Sequence, residues 1–109
     1  MIETPEAARQ AHAIASVEGV DAVFVGPNDL AHAMGHENRF HDAPVQAVIE
    51  QVVRDVAAAG NCPGVLALSA ADMDRYRAWG ARLFATVTTG VILQALRQAA
   101  QAGDPSTRY

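Results

Sequence analysis

Residues 20–30 read Val-Asp-Ala-Val-Phe-Val-Gly-Pro-Asn-Asp-Leu, an apolar run that ends at Gly26 and places an acid, Asp29, directly after it. Such a nearly continuous apolar run is typical of a strand in a parallel sheet that is covered on both faces. A second acid, Glu3, precedes Thr4 and a proline, which together indicate an N-cap and the first helical turn. Each acid therefore lies where a strand gives way to a helix. In parallel α/β proteins these junctions share one rim, where ligands bind.

The two acids are candidates for a metal site. Carboxylate oxygens are the ligands that hard divalent cations prefer, and two carboxylates at one rim would suit such an ion. The alternative interpretation is structural. In that case Asp29 caps the helix that follows its strand, and Glu3 is a solvated residue near a chain terminus. The residues by themselves leave both interpretations open.

The rest of the chain alternates strands with helices. Strands are predicted at 22–26, 64–68 and 83–87, a short helical turn at 29–35, and helices at 4–16, between Pro44 and Gly60, between Ser69 and Gly80, and at 90–102. Ser69 and Asp72 have the spacing of a capping box, with Asp in place of the usual Glu or Gln. One helix followed by three strand-helix units favours parallel strands joined by right-handed crossovers.

The helix between Pro44 and Gly60 has the clearest apolar periodicity. Its stripe follows the spacing i, i+3, i+4, i+7, i+8 and i+11 and consists of Val45, Val48, Ile49, Val52, Val53 and Val56. These residues are β-branched, and β-branched residues have low intrinsic helix propensity. Tertiary packing must therefore hold this helix in place.

Length and composition limit the fold. A chain of 109 residues has room for one small domain, whereas a complete (β/α)8 barrel takes roughly 250 residues. Half of the residues are hydrophobic and 18% are charged, which is ordinary for a folded chain. We expect a partial barrel domain over residues 1–103 and a polar C-terminal tail over residues 104–109.

Charge and cysteine content restrict the partners and the compartment. A formal net charge of −4 and a pI near 5.4 provide no basic surface for nucleic acid or anionic lipid. Apolar runs are short, and the first ten residues carry Glu3, Glu6 and Arg9, so we expect neither a spanning helix nor a signal peptide. Cys62 is the only cysteine, which we interpret as a small core residue. These features predict a cytoplasmic protein.

Short motifs link the chain to a known family. Residues 1–4 read Met-Ile-Glu-Thr, residues 19–21 Gly-Val-Asp, residues 26–30 Gly-Pro-Asn-Asp-Leu and residues 34–36 Met-Gly-His. Together they closely resemble the HpcH/HpaI aldolase family, the metal-dependent pyruvate aldolases. The resemblance weakens after about residue 83. It implies an α/β fold, the C-terminal part of a (β/α)8 TIM barrel, with three recognisable parallel strands and alternating helices.

The same resemblance implies a metal-dependent site. Glu3 and Asp29 match the two protein ligands to a divalent ion, Mg²⁺, Mn²⁺ or Co²⁺. In the family this ion polarises the 2-oxo group and stabilises the pyruvate enolate that forms as the carbon–carbon bond breaks. The backbone amides of Asn28 and Asp29 are the candidates for binding the substrate carboxylate. All eight basic residues are arginines, so a Schiff-base lysine within this chain is excluded.

Other residues depart from the family or suggest other sites. The family's catalytic base histidine and substrate-orienting arginine lie on the N-terminal half of the barrel, and no residue here matches either of them. Residues 31–33 read Ala-His-Ala where serine is usual, and residues 86–90 read Thr-Val-Thr-Thr-Gly, which differs from the glycine and acid that the family tends to show after the last strand. His32 and His36 have a spacing that could bind zinc, but no H-E-x-x-H motif is present, so a solvated face is favoured.

Two classes of function follow from these residues. The first is a carbon–carbon lyase that cleaves 4-hydroxy-2-oxo acids to pyruvate and an aldehyde, incomplete as this chain alone. The second is an inactive fragment or an interaction module that pairs with another half barrel. A citrate-lyase-like or malyl-CoA-lyase-like relative is a further alternative. The expected partners are a small-molecule 2-oxo acid and either a second copy, exchanging the helix around residues 91–100, or a complementing N-terminal half barrel.

Overall fold

Helices and strands alternate along residues 1–102, the part of the chain that the computed structural model describes. The elements are α1 (Pro5–Arg9), α2 (Ala11–Ala15), β1 (Ala22–Val25), α3 (Pro27–Ala33), α4 (Ala43–Ala58), β2 (Cys62–Leu66), α5 (Ala70–Trp79), β3 (Leu83–Ala85) and α6 (Thr88–Ala102). The predicted tail at residues 104–109 lies outside the described residues. Within them, no helix is both long enough and apolar enough to cross a membrane.

The three strands form one parallel sheet in the order β1-β2-β3. Ile2 adds a parallel bridge to Val25 on the outer side of β1. The predicted parallel strands are therefore confirmed. β2 begins at Cys62 and ends at Leu66, two residues earlier than predicted. Pro63 has no N–H to donate to the ladder, but its carbonyl accepts a hydrogen bond of 2.9 Å from the Arg82 amide and keeps this segment in the sheet.

The predicted helix over residues 4–16 is two short helices instead of one. The Thr4 hydroxyl accepts a hydrogen bond from the Ala7 amide and caps α1 as predicted. Gln10, with φ −102° and ψ 8°, lies between the two helices and breaks the regular ladder. Both helices still bury alanines against the core, at positions 8, 11 and 15.

Helix α4 forms the centre of the core. It contacts α1, α2, α3, α5, β1 and β2. Five residues of its predicted stripe are fully buried, namely Val45, Ile49, Val52, Val53 and Val56. The prediction that tertiary packing holds this β-branched helix is confirmed, because nearly every other element packs on it.

Gly64 in β2 has no room for a side chain. A Cβ at this position would lie 2.5 Å from Phe24 Cδ2 and 3.2 Å from Leu83 Cδ2, its two neighbours in the sheet register. Overpacking of this kind costs about 1–3 kcal/mol, so we expect Gly64→Ala to lower the free energy of unfolding by that amount in urea denaturation. The matched control is Gly90→Ala, whose Cβ would meet nothing closer than Val87 Cβ at 4.0 Å. Equal stability of the two variants would contradict this assignment.

The last helix is the least covered element of the described chain. Its large apolar side chains are about half exposed: Val91, Ile92 and Leu93 at 52% and Leu96 at 61%. We call this surface the α6 apolar face. Isolated exposed apolar residues are ordinary, but a contiguous group of them marks a contact surface.

Candidate metal and substrate site

The strands bring the two predicted ligands to one rim. In this parallel sheet β1, β2 and β3 all end at the same edge, which we call the C-terminal rim. The Ile2 amide donates to the Phe24 carbonyl at 2.7 Å, and the Gly26 amide donates to the Ile2 carbonyl at 3.0 Å. Glu3 therefore leaves the sheet beside Gly26, at the point where β1 ends.

The Glu3 side chain lies directly over Gly26. A Cβ built on Gly26 would stand 3.0 Å from Glu3 Cγ and 3.2 Å from Glu3 Oε1. The absence of a side chain at Gly26 thus creates the space that the Glu3 carboxylate occupies. This role of Gly26 was not recognised from the sequence.

Asp29 lies in the first turn of the helix that Gly26 begins. Gly26 is the N-cap residue of α3, and its carbonyl accepts a hydrogen bond of 3.0 Å from the Leu30 amide. Leu30 and Ala31 are fully buried and anchor the helix, while Asn28 and Asp29 are exposed at its start. The predicted ligand Asp29 therefore follows three residues after Gly26, the residue against which the Glu3 side chain lies.

The donor set at this site consists of hard oxygen atoms. Among residues 1–102 no group of three or more His, Cys, Asp or Glu side chains is arranged to hold a metal ion. A closed structural zinc site, which needs four such ligands, is therefore not formed by the described residues. Mg²⁺ commonly takes only one or two protein carboxylates and keeps its other positions for water and substrate. The oxygen-donor chemistry of Glu3 and Asp29 suits an ion of this kind.

Comparison with known proteins identifies the family. The sequence profile described as HpcH/HpaI aldolase/citrate lyase matches residues 1–95. The chain belongs to this family. Hydroxypyruvate/pyruvate aldolase of Delftia acidovorans is 45% identical over 101 residues, which cover 93% of the chain and 36% of that relative. 5-Keto-4-deoxy-D-glucarate aldolase of Shigella dysenteriae is 41% identical over 100 residues, which cover 92% of the chain and 38% of that relative.

A solved structure supports the same assignment. An HpcH/HpaI aldolase/citrate lyase family protein from Burkholderia cenocepacia superposes with a TM-score of 0.84 and 33% sequence identity. The match covers 92% of the chain and 39% of that structure. The predicted partial (β/α)8 barrel is confirmed. The HpcH/HpaI chain spans about two fifths of the length of the relatives that it matches.

His32 and His36 belong to no group of three or more metal-binding side chains among residues 1–102. His32 is exposed, and its Nδ1 is 3.6 Å from the exposed Glu37 carboxylate. His36 is half-buried, and its Nδ1 lies 2.7 Å from Asp42 Oδ2. The prediction of a solvated face is therefore confirmed for His32 and wrong for His36, because an acid further along the same loop engages its ring.

Two residues at the rim were not identified as important from the sequence. Asp72 was expected only as part of a capping box, and the Ser69 hydroxyl does accept a hydrogen bond of 3.1 Å from the Asp72 amide. The Asp72 carboxylate, however, also lies 2.9 Å from Nε2 of His41. A histidine 31 positions away carries no local signal for this pairing. The sequence differs from a usual capping box only in having Asp72 in place of Glu or Gln, and this difference does not indicate His41 as a partner.

Cys62 is half-buried at the start of β2. The expectation of a core residue is therefore only partly correct, because the first residue of the strand lies at the edge of the packed region. The neighbouring Asn61 side chain is more central to the structure. Its Nδ2 donates to the Ala15 carbonyl at 2.9 Å and to the Val20 carbonyl at 2.6 Å, and so contacts both the end of α2 and the segment that leads into β1.

Proposed function

We propose that the protein supplies the metal ligands of a carbon–carbon lyase, which cleaves 4-hydroxy-2-oxo acids to pyruvate and an aldehyde once an N-terminal half barrel completes its site. Glu3 and Asp29 are proposed as its two protein ligands to Mg²⁺, Mn²⁺ or Co²⁺. One observation carries the proposal: the Glu3 carboxylate lies against Gly26, the residue that begins the helix bearing Asp29. The family match and the aldolase names of the relatives support it. A cytoplasmic location is part of the same proposal.

The residues of this chain have limited roles in that reaction. A divalent ion bound by Glu3 and Asp29 would supply Lewis acidity, which stabilises negative charge on the 2-oxo oxygen of the substrate as the carbon–carbon bond breaks. Asn28 and Asp29 lie in the first turn of α3, where backbone N–H groups have no acceptor within the helix. Their amides are proposed to bind the substrate carboxylate. The base and the substrate-orienting arginine are expected on the N-terminal half of the barrel.

A chimeric enzyme tests the proposal. Residues 1–95 would replace the aligned segment of the Delftia acidovorans hydroxypyruvate/pyruvate aldolase, so that both metal ligands come from this chain. We call this protein the barrel chimera. We expect it to release pyruvate from a 4-hydroxy-2-oxo acid with Mg²⁺ or Mn²⁺, and to lose this activity in EDTA. A chimera that is folded by circular dichroism but releases no pyruvate with either metal would overturn the proposal.

Gly26→Ala tests the placement of Glu3. The Gly26 φ of −96° suits any residue, so alanine does not strain the backbone. Its methyl group must instead push the Glu3 side chain away from its position. Residues that orient metal ligands typically change affinity by roughly 10- to 100-fold when altered, so we expect a loss of that size in Mn²⁺ affinity of the barrel chimera. Gly90→Ala is the control, and equal affinities in the two variants would contradict the placement.

A second proposal concerns partners. The α6 apolar face is half exposed, and we infer that it packs against another copy of the chain or a complementing N-terminal half barrel. Burying these four side chains would provide the favourable free energy for association. Size-exclusion chromatography with light scattering should therefore show a mass above 11.5 kDa for the isolated chain. A stable monomer that also fails to bind a purified N-terminal half barrel would contradict this.

A further inference from the structure

We propose that Asp72 and His41 form a latch that positions residues 34–42, and through them the helix that bears Asp29. We call residues 34–42 the rim loop, since they connect α3 at the C-terminal rim to the start of α4. Neither residue touches the proposed metal site, so both are positioning residues. The part of this inference that concerns metal affinity rests on the proposed function, whereas the part that concerns loop order does not.

Asp72 is the anchor of the latch. It lies in the first turn of α5 with only 3% of its side chain exposed. Its Oδ2 accepts a hydrogen bond of 2.8 Å from the Ser69 hydroxyl, and its Oδ1 lies 2.9 Å from His41 Nε2 and 3.8 Å from Arg75 Nη1. A buried carboxylate is tolerated only when such partners compensate its desolvation. If the His41 contact were lost, Asp72 Oδ1 would keep only the 3.8 Å contact with Arg75 Nη1.

The charges around Asp72 keep it ionised. Burial raises the pKa of the Asp72 carboxyl, but the hydrogen bonds from Ser69 and His41 and the positive charges of His41 and Arg75 lower it further than burial raises it. The net pKa lies below the ordinary value of 3.8. Asp72 therefore contributes stability above about pH 3.8, and this contribution disappears as the pH falls through the lowered pKa. Asp72 is therefore ionised at neutral pH.

Further contacts hold the C-terminal end of the rim loop. The ring of His41 packs on Phe40 with centroids 4.0 Å apart. The Phe40 carbonyl accepts a hydrogen bond of 2.8 Å from Gln46 in α4, and the Gln46 side-chain oxygen accepts one of 3.0 Å from Arg75 in α5. The latch thus fixes this end of the loop between two helices.

The N-terminal end of the rim loop is joined to α3. The His36 amide donates to the Ala31 carbonyl at 2.8 Å. The His36 ring contacts Asp42 at 2.7 Å, and Arg39 lies 3.5 Å from the same carboxylate. Asp42 follows His41 directly, and Ala31 is two residues after Asp29 in the same helix. A continuous series of contacts therefore runs from Asp72 to the Asp29 helix, and this series is the proposed route of energetic coupling between them.

Hydrogen exchange tests the latch without any metal. His41→Leu removes the contact at a half-exposed position, and Asp72→Asn removes the charge. We expect the His36 and Met34 amides to exchange roughly 3- to 30-fold faster in both variants, with the α4 amides unchanged. His41→Gln, which keeps a side-chain N–H donor, should restore slow exchange. His12→Leu, at an exposed histidine of α2, is the matched control.

Mn²⁺ binding provides the second measurement, made on the same variants in the barrel chimera. We expect His41→Leu and Asp72→Asn to weaken Mn²⁺ binding by roughly 3- to 30-fold, and His41→Gln to recover it. If the unmodified chimera binds no Mn²⁺, the proposed function fails and the exchange result alone decides the latch. Unchanged exchange at His36 in His41→Leu, or equal acceleration throughout α4, would overturn the latch.

Discussion

Replacing Ile49 by alanine is expected to lower the free energy of unfolding by about 2–5 kcal/mol. Ile49 is fully buried in α4, the helix on which nearly every other element packs. The substitution removes three buried carbon atoms and leaves a cavity that the neighbouring valines cannot fill without moving. Small domains are stable by only about 5–15 kcal/mol, so this loss is a large fraction of the total.

Urea denaturation followed by circular dichroism measures the effect of Ile49→Ala. The matched control is Val17→Ala, which shortens a side chain that is 58% exposed and should change stability by no more than about 0.5 kcal/mol. A loss below about 1 kcal/mol for Ile49→Ala would contradict the position of α4 at the centre of the core.

The second large effect is expected at the two carboxylates. In the barrel chimera, Glu3→Gln and Asp29→Asn should each lower metal-dependent pyruvate release by at least about 100-fold, because each removes one of two charged ligands at nearly constant shape. Stability should change little, since Asp29 is exposed and Glu3 is half-buried. Initial rates at saturating Mn²⁺ and at limiting Mn²⁺ separate lost affinity from lost turnover.

A structural role for these acids predicts a different result. If Asp29 only complements the positive end of α3, its replacement by asparagine costs about 0.3–1 kcal/mol of stability and leaves pyruvate release unchanged. Glu6→Gln is the matched control, because Glu6 is an exposed acid in the first turn of α1, close in sequence to Glu3. Equal activity of Glu3→Gln and Glu6→Gln would favour the structural role.

The fold was predictable where a residue acts on its immediate neighbours. Thr4 and Ser69 cap their helices as their side-chain chemistry indicates, and Gly80 ends α5 at a φ of +114°. The errors arose where distant contacts decide. The start of β2 is set by its pairing with β1, in which Cys62 lies opposite Ala22. The break at Gln10 leaves no mark in the apolar spacing.

The candidate site shows a similar division. The strand ends and the family motifs led to the prediction of Glu3 and Asp29 as ligands, and that assignment stays a prediction. The space that Gly26 provides and the contact between His41 and Asp72 were not predictable, because each joins residues separated by more than twenty positions. Such contacts depend on the final packing of strands and loops, and a single sequence does not encode them as a local pattern.

A titration with Mn²⁺, followed by electron paramagnetic resonance of the free ion, tests the metal site most directly. In the barrel chimera we predict saturable binding of one Mn²⁺ per chain, abolished when Glu3→Gln and Asp29→Asn are combined and retained in Glu6→Gln. A folded chimera that binds no Mn²⁺, or one whose binding persists in the combined variant, would contradict the assignment of Glu3 and Asp29 as the metal ligands.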